Sequence, residues 1–508
     1  MNSNSKTIAK NTIVVYLRIF ITMFVGLFSS RFVLQALGES DYGLYSVVGG
    51  VIALFSFLSG ALSQTTTRYI NFEKAQPSGN VNKIFNISLV IHISFSIIIV
   101  LIAEILGMFY VHNYLVVDSN KIQDAIFVFQ TSLITTCLSV LTIPFQSIFV
   151  ANEKFLFIAI IEIIQTVVRF LFVISMLYYT GNNLRYYAVI MALTTLAGSV
   201  AYVIIACKKW KSITIWHFYS DRKAYANMLY FNNYTLLGAG ALVTRSQGSM
   251  MVVNYFFGTS VNAAYAIANN VQSYVNLFIG NFDTASGPQI TQLVSSGKIE
   301  ESLKLVTRTC RICILLMCVV YFPLLVELST ILNLWLGDVP EHTVTLCKYT
   351  LGIAVVSATS GGLSKFIAAI GRIKWFQIQY SILYFLCIPA SIILLAIGVN
   401  VYVVPLLFII SDVISRMIQL YLLHRYINLD VKKYIVESYT RPIIVFCILY
   451  VFVLCYSIFQ PTDLIYKFMG VAITGLVSVS TVLLFGLNKA ERNAVTMMFI
   501  KRKKQIYE

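Results

Sequence analysis

Long apolar blocks alternate with short polar turns along nearly the whole chain. Ile13 to Phe32, Ile84 to Val111 and Pro442 to Phe459 are each long enough for the ~20 residues that carry a helix across a bilayer. Followed through, the pattern predicts about fourteen helical spans. The first six run near Ala9 to Leu37, Tyr42 to Thr67, Lys83 to Tyr110, Ile122 to Ala151, Phe155 to Tyr179 and Arg185 to Cys207. A second six follow near Tyr230 to Phe257, Ala263 to Ser286, Val306 to Leu325, Val344 to Ile370, Trp375 to Ile397 and Tyr402 to His424. Arg441 to Phe459 and Leu464 to Gly486 complete the set. The expected fold class is an all-α polytopic membrane protein.

An internal repeat organises the first twelve spans. A shift of 220 residues without gaps places Gly38, Ser40 and Tyr45 on Gly258, Ser260 and Tyr265, Gly60 on Gly280, and Lys154-Phe155 on Lys374-Trp375. Six spans separate equivalent positions, so the copies share one orientation, as in parallel-repeat transporters. The expected organisation is therefore a six-helix lobe at 1–207, an amphipathic connector at 208–229 and a second six-helix lobe at 230–424. Two added helices with their connector occupy 425–486, and a basic tail occupies 487–508. Trp210, Trp216 and Phe218 among the connector's lysines suit a helix lying in the headgroup layer.

Composition strengthens the class. Of 508 residues, 58% are hydrophobic and 11% charged, against roughly 45–50% and about 25% in soluble domains. The first block is interrupted by Arg18 and Arg31 and lacks a small-x-small site after it, so it reads as a span rather than a signal peptide. The net charge of +16 comes from Lys and Arg in alternate loops, including Lys6, Lys10, Arg68, Lys74, Lys208, Lys209, Lys298, Lys304, Arg308, Lys432, Lys433 and Lys501. The positive-inside rule then places both termini in the cytoplasm. No nucleic-acid partner is implied. The nine cysteines lie mostly in apolar stretches, where Cys packs as a small hydrophobe, and Cys310-x-x-Cys313 has no second pair or histidine at metal-ligand spacing.

Charged residues inside the spans are the candidate chemistry, because each costs about 2.5–3.5 kcal/mol at a helix centre on the insertion scale. Arg18 and Arg31 sit on the first span, about 20 Å apart along a helix, and Arg245 lies near the middle of the seventh. With Lys365 on the tenth, these cations are the expected substrate-binding cavity residues, since guanidinium groups match phosphate oxygens with a planar fork of donors. Asp283, Asp412, Arg416 and Glu162 are the expected coupling or ion-pair residues; Asp412 and Arg416 stand four apart on one helix face. Glu104 reads as a carboxylate that reaches the outer interface, Arg169 as a further charge in the spans, and His92 as a buried hydrogen-bonded histidine. Pro144, Gly287-Pro288, Pro389 and the glycine pairs Gly49-Gly50 and Gly361-Gly362 are candidate bends or close helix approaches. No catalytic or metal-binding residue is expected: the outer loops are short, and the chain has no phosphate-binding glycine loop, H-E-x-x-H or nucleophile elbow.

The stretch from Ser30 to Tyr45, Ser-Arg-Phe-Val-Leu-Gln-Ala-Leu-Gly-Glu-Ser-Asp-Tyr-Gly-Leu-Tyr, resembles the opening of polysaccharide repeat-unit flippases. These are the O-antigen and capsule members of the polysaccharide transporter family, within the multidrug/oligosaccharidyl-lipid/polysaccharide exporter superfamily. The resemblance implies two six-helix lobes around a cavity lined by basic residues, with Arg31 carried onto that cavity. It further implies a glycan on undecaprenyl pyrophosphate as substrate, membrane lipids around it, and a polysaccharide polymerase and chain-length proteins as partners. The bacterial cytoplasmic membrane is the implied location and alternating access the implied mechanism, with H+ or Na+, or the membrane potential, as candidate drives and no other cofactor. Two readings compete: a cation-coupled multidrug or small-solute antiporter of the same fold, and a membrane enzyme of polysaccharide assembly.

Overall fold

The computed structural model describes residues 3–75, 79–459, 462–488 and 491–492. Most of the expected basic tail, including Lys501 to Lys504, lies outside the described residues. Helices account for nearly all of the rest. In the first half they are α1 (Ser3–Ala53), α2 (Ser56–Ala75), α3 (Val81–Ile102), α4 (Met108–Asn113), α5 (Ile122–Ala151), α6 (Phe155–Ser175) and α7 (Asn183–Lys209), followed by the short α8 (Lys211–Thr214). The second half contains α9 (Arg222–Val243), α10 (Ser249–Ser295), α11 (Ile299–Val326), α12 (Leu328–Leu336), α13 (Thr343–Ala358), α14 (Leu363–Ala369), α15 (Ile373–Ala396) and α16 (Val403–Ile427). The last two are α17 (Val431–Phe459) and α18 (Leu464–Thr481). Among the described residues, ten helices are long and apolar enough to cross a membrane, or eleven if the bent pair α13 and α14 is one span. The other three predicted spans fall on α2, α9 and α10, where polar runs such as Gln64 to Thr67 and Asn269-Asn270 dilute the apolar pattern.

The offset of 220 reappears in the backbone. Gly38 (φ 74°, ψ 173°) interrupts α1, and Gly258 (φ 77°, ψ −170°) interrupts α10. Both sit in a region of backbone space that is essentially closed to residues with a Cβ, so glycine at these two points divides each long helix into two spans. Helix starts follow the same offset to within one residue: α7 begins at Asn183 and α16 at Val403, and α5 at Ile122 and α13 at Thr343.

The two copies of this motif also touch. Ser40 Oγ is 3.1 Å from Thr259 Oγ1, while Ser260 Oγ donates to Glu39 Oε2 at 2.6 Å. Residues 39 and 40 thus meet 259 and 260 reciprocally, which is what a two-fold relation between copies produces. Close approach there depends on Gly43, since a Cβ built on it would lie 1.8 Å from Thr259 O.

The chain divides into two compact units. The first comprises Met1–Ala266, Trp335–Thr343 and Tyr380–Val404; the second comprises Ile267–Leu334, Val344–Gln379 and Pro405–Glu508. In the first, α3 and α4 show how polarity is turned inside out. Ile97, Leu101, Ile105 and Phe109, spaced by four, are 56–69% exposed, a stripe suited to lipid. Ser88, His92 and Ser96 lie buried on the same helix. His92 Nδ1 donates to Ser88 O at 2.7 Å, and Ser88 Oγ bonds Thr66 Oγ1 at 2.8 Å. Phe149, Ile158, Ile161, Tyr202 and Ala206 form a buried cluster that joins α5, α6 and α7.

The connector after α7 is fastened to the start of α3. Asn82 Nδ2 donates to Ile213 O and Ile215 O, Tyr219 donates to Asn82 Oδ1 at 2.9 Å, and Lys83 Nζ pairs with Asp221 Oδ2 at 2.7 Å. The Lys83 ammonium, by hydrogen bond, holds the Asp221 carboxyl below its usual range. In the second unit, Ile290, Val306, Leu363, Phe366 and Leu423 make a buried core. Cys310 and Cys313 are buried beneath the α13–α14 break, where a Cβ on Gly361 would come within 2.7 Å of Cys313 Sγ. Pro144 and Pro389 lie inside α5 and α15, which run through them as single helices.

Candidate substrate-binding site

On α6, Glu162, Gln165 and Arg169 recur at helical spacing on a largely apolar helix, so they share one face. That face borders a cavity of about 460 Å³ in the first unit, completed by Ser63, Ser139, Gln146 and Tyr202. Gly198 on α7 makes room for it: a Cβ there would lie 1.8 Å from Gln165 Nε2, which instead donates to Thr194 O at 2.9 Å. Arg169 Nε donates to Thr194 Oγ1 at 3.3 Å. Glu162 Oε2 accepts from Arg18 Nη1 at 3.0 Å, and the two side chains are 24% and 39% exposed. The pair tethers α1 to α6 beside the cavity, which Glu162 lines.

Arg31, thirteen residues along α1 from Arg18, is half-buried. Its neighbour Phe32 packs on Phe170 of α6 with ring centroids 5.9 Å apart. Arg245 lies in a wide π-helical turn, Thr244–Gly248, that joins α9 to α10. Its Nη1 donates to the Tyr384 hydroxyl at 2.6 Å, and its guanidinium carbon stands 5.2 Å from the Tyr384 ring centroid. Tyr380 packs against Tyr384 at 4.4 Å. The guanidinium is thus held as a cation against an aromatic ring.

In the second unit the structure gathers Asp283, Gly287, Gly362 and Lys365. Asp283 Oδ1 accepts from the Gly362 amide, and Gly362 (φ 72°) starts α14 after the 44° bend from α13. The Lys365 Cδ would lie 3.7 Å from a Cβ on Gly287. Asp412 is buried at 6% exposure, and Arg416 Nη1 donates to Gln419 Oε1.

Of the sequence-predicted residues, Arg18 and Glu162 meet in the first unit, and Asp283 and Lys365 share the α14 junction in the second. The cavity beside α6 carries one carboxylate, Glu162, and one guanidinium, Arg169, among hydroxyls and amides, a mixed rather than mainly cationic lining. Gln165, Tyr202 and Tyr384 were not among the expected site residues. The spacing of Glu162, Gln165 and Arg169 was a readable signal for Gln165; Tyr384 had none.

No protein-family model and no curated protein matches the chain. Solved structures match in fold. A lipid II flippase, MurJ, in an inward closed conformation aligns with TM-score 0.63 at 15% identity, covering 93% of this chain and 98% of its own. An inward-facing multidrug resistance MATE family transporter of the MOP superfamily aligns with TM-score 0.61 at 12% identity, over 83% and 99%. A MOP superfamily transporter from Pyrococcus furiosus, described as having a binding pocket of reverse polarity that suggests a different function, aligns with TM-score 0.57 at 14% identity, over 86% and 97%. The chain is an all-α polytopic membrane protein with the fold shared by these transporters.

Proposed function

We propose that the chain is a flippase that carries oligosaccharide repeat units on undecaprenyl pyrophosphate from the inner to the outer leaflet of a bacterial cytoplasmic membrane. The supporting observation is the placement of guanidinium groups within apolar spans of a transporter fold: Arg18 beside the α6 cavity, Arg31 on the same helix and Arg245 on Tyr384. Pyrophosphate oxygens cannot enter hydrocarbon without replacement of their water, and Arg donors replace it with charge-assisted bonds. The prenyl tail stays in lipid, and no covalent bond changes. The six-helix lobes at 1–207 and 230–424 are the bodies that rock to expose the site to each side in turn. Arg31 and Lys365 are additional contacts for the substrate. H+ or Na+ drives the cycle through Glu162, Asp283 or the Asp412 and Arg416 region. A polymerase and chain-length proteins receive the flipped units for O-antigen, capsule or exopolysaccharide synthesis.

A cell lacking the gene is predicted to accumulate lipid-linked repeat units on the inner face, with export restored by the intact gene. Normal delivery of units to the outer face in its absence would refute the proposal. The mixed lining of the α6 cavity supports a second reading, a cation-coupled antiporter for small solutes. Under that reading the null strain keeps its polysaccharide and loses efflux of a cationic solute.

A further inference from the structure

At the Lys304 end of α11, the second unit holds an open cavity of about 650 Å³, bordered by α11, α17 and the residues Asn488 and Glu491. Lys304, Arg308, Arg311 and Arg441 line it against the two carboxylates of Glu437 and Glu491, which leaves two positive charges in excess. Glu491 is already committed. Its Oε2 accepts from Asn488 N at 3.0 Å while Asn488 Oδ1 accepts from Glu491 N at 2.8 Å, a reciprocal capping box. Its Oε1 accepts from Arg311 Nη2 and, at 3.3 Å, faces Arg308 Nε.

Arg311 is only 8% exposed, and its Nη1 donates to Glu437 O at 3.0 Å. Its Nε is buried and has no hydrogen-bond partner among the described residues. A buried guanidinium donor left unused is costly and calls for an acceptor. The surroundings show where that acceptor comes from. Val436, which lines the cavity, and Ile443, one further turn and more along α17, are 53% and 57% exposed, so apolar surface continues from the cationic mouth into the lipid-facing side of α17. A soluble anion would gain nothing from that surface; a lipid would.

We propose that this cavity binds the phosphate of an anionic lipid. The phosphate oxygens bond Lys304, Arg441 and Arg311 Nε, and the hydrocarbon chains lie along Val436 and Ile443. Basic pockets between helices at a headgroup layer recognise lipid phosphates by this combination. The site shares no residue with the α6 cavity, and the inference does not depend on what the protein transports.

Native mass spectrometry of the purified full-length chain tests it, with phosphatidylglycerol, undecaprenyl phosphate, phosphatidylcholine and inorganic phosphate as probes. Preferential retention of one phosphatidylglycerol or one undecaprenyl phosphate over phosphatidylcholine is expected, and the better of the two identifies the source of the phosphate. Lys304→Gln combined with Arg441→Gln should weaken that retention by about tenfold or more, whereas Lys304→Arg with Arg441→Lys should preserve it. Thermal unfolding of both double variants reports whether they fold. Equal retention of phosphatidylcholine, undiminished retention in a folded Gln variant, or complete displacement by millimolar inorganic phosphate would overturn the proposal.

Discussion

Replacing Gly38 with alanine isolates a backbone energy. A Cβ at Gly38 meets nothing within 4 Å, so no steric clash contributes, and the whole penalty comes from holding φ 74°, ψ 173°. Forcing a residue with a Cβ into that region costs on the order of 1–3 kcal/mol. Gly258→Ala should cost a similar amount, since its φ is 77° and its surroundings are equally open. Gly60 and Gly280, the other repeated pair, provide the opposite sign. A Cβ on either also meets nothing within 4 Å, and both are helical positions whose own φ is not positive, where alanine gains roughly 0.5–1 kcal/mol over glycine. Unfolding midpoints in mild detergent, followed by tryptophan fluorescence, should therefore rank Gly60→Ala and Gly280→Ala at or above the parent, and Gly38→Ala and Gly258→Ala below it. A Gly38→Ala protein as stable as the parent would refute the assignment of this break to glycine's conformational freedom.

Gly43→Ala should be far more damaging than its size suggests. Its Cβ would lie 1.8 Å from the Thr259 carbonyl oxygen, a backbone atom that cannot rotate away, so a loss of roughly 1–3 kcal/mol or more should appear as reduced monodisperse yield. For Arg18 and Glu162, single changes to glutamine should each lower stability more than the double change does, with a coupling of about 0.5–3 kcal/mol; strictly additive effects in the thermal cycle would dismiss the 3.0 Å pair. Asp283→Ala removes the acceptor for the Gly362 amide and should cost about 1–3 kcal/mol, while Asp283→Asn keeps an acceptor and most of the stability. Indistinguishable midpoints for the two variants would show that Asp283 does not cap α14.

The repeat was readable because one residue type solves one backbone problem: only glycine serves at Gly38 and Gly258, so the same letter persists where the surrounding identities have drifted. Hydrophobic blocks likewise located α5, α6, α7, α15, α16 and the run from α3 through α4 to within a few residues. The partner of Arg18 was not readable. Scanning its own helix for an acid at three or four residues finds none, and Glu162 reaches it from 144 positions away, through packing of α1 on α6 that a linear pattern does not encode. The tenth span shows a similar limit. Gly361 and Gly362 marked flexibility, but the 44° break and its capping by Asp283 depend on a carboxylate from α10. Arg416, one turn beyond Asp412, donates its Nη1 to Gln419, a rotamer choice on a helix face that neighbours settle and spacing alone does not.

The proposed activity is movement of a lipid-linked, phosphate-bearing glycan across a bilayer. Its most direct test is purified protein in liposomes loaded on one leaflet with undecaprenyl-pyrophosphate oligosaccharide, read by a membrane-impermeant glycosidase or lectin on the other side. The account predicts protein-dependent appearance of glycan on the opposite leaflet, strongly slowed by Arg18→Ala, Arg31→Ala or Arg245→Ala in variants that remain inserted. Translocation no faster than in protein-free liposomes, or undiminished in all three variants, would contradict it.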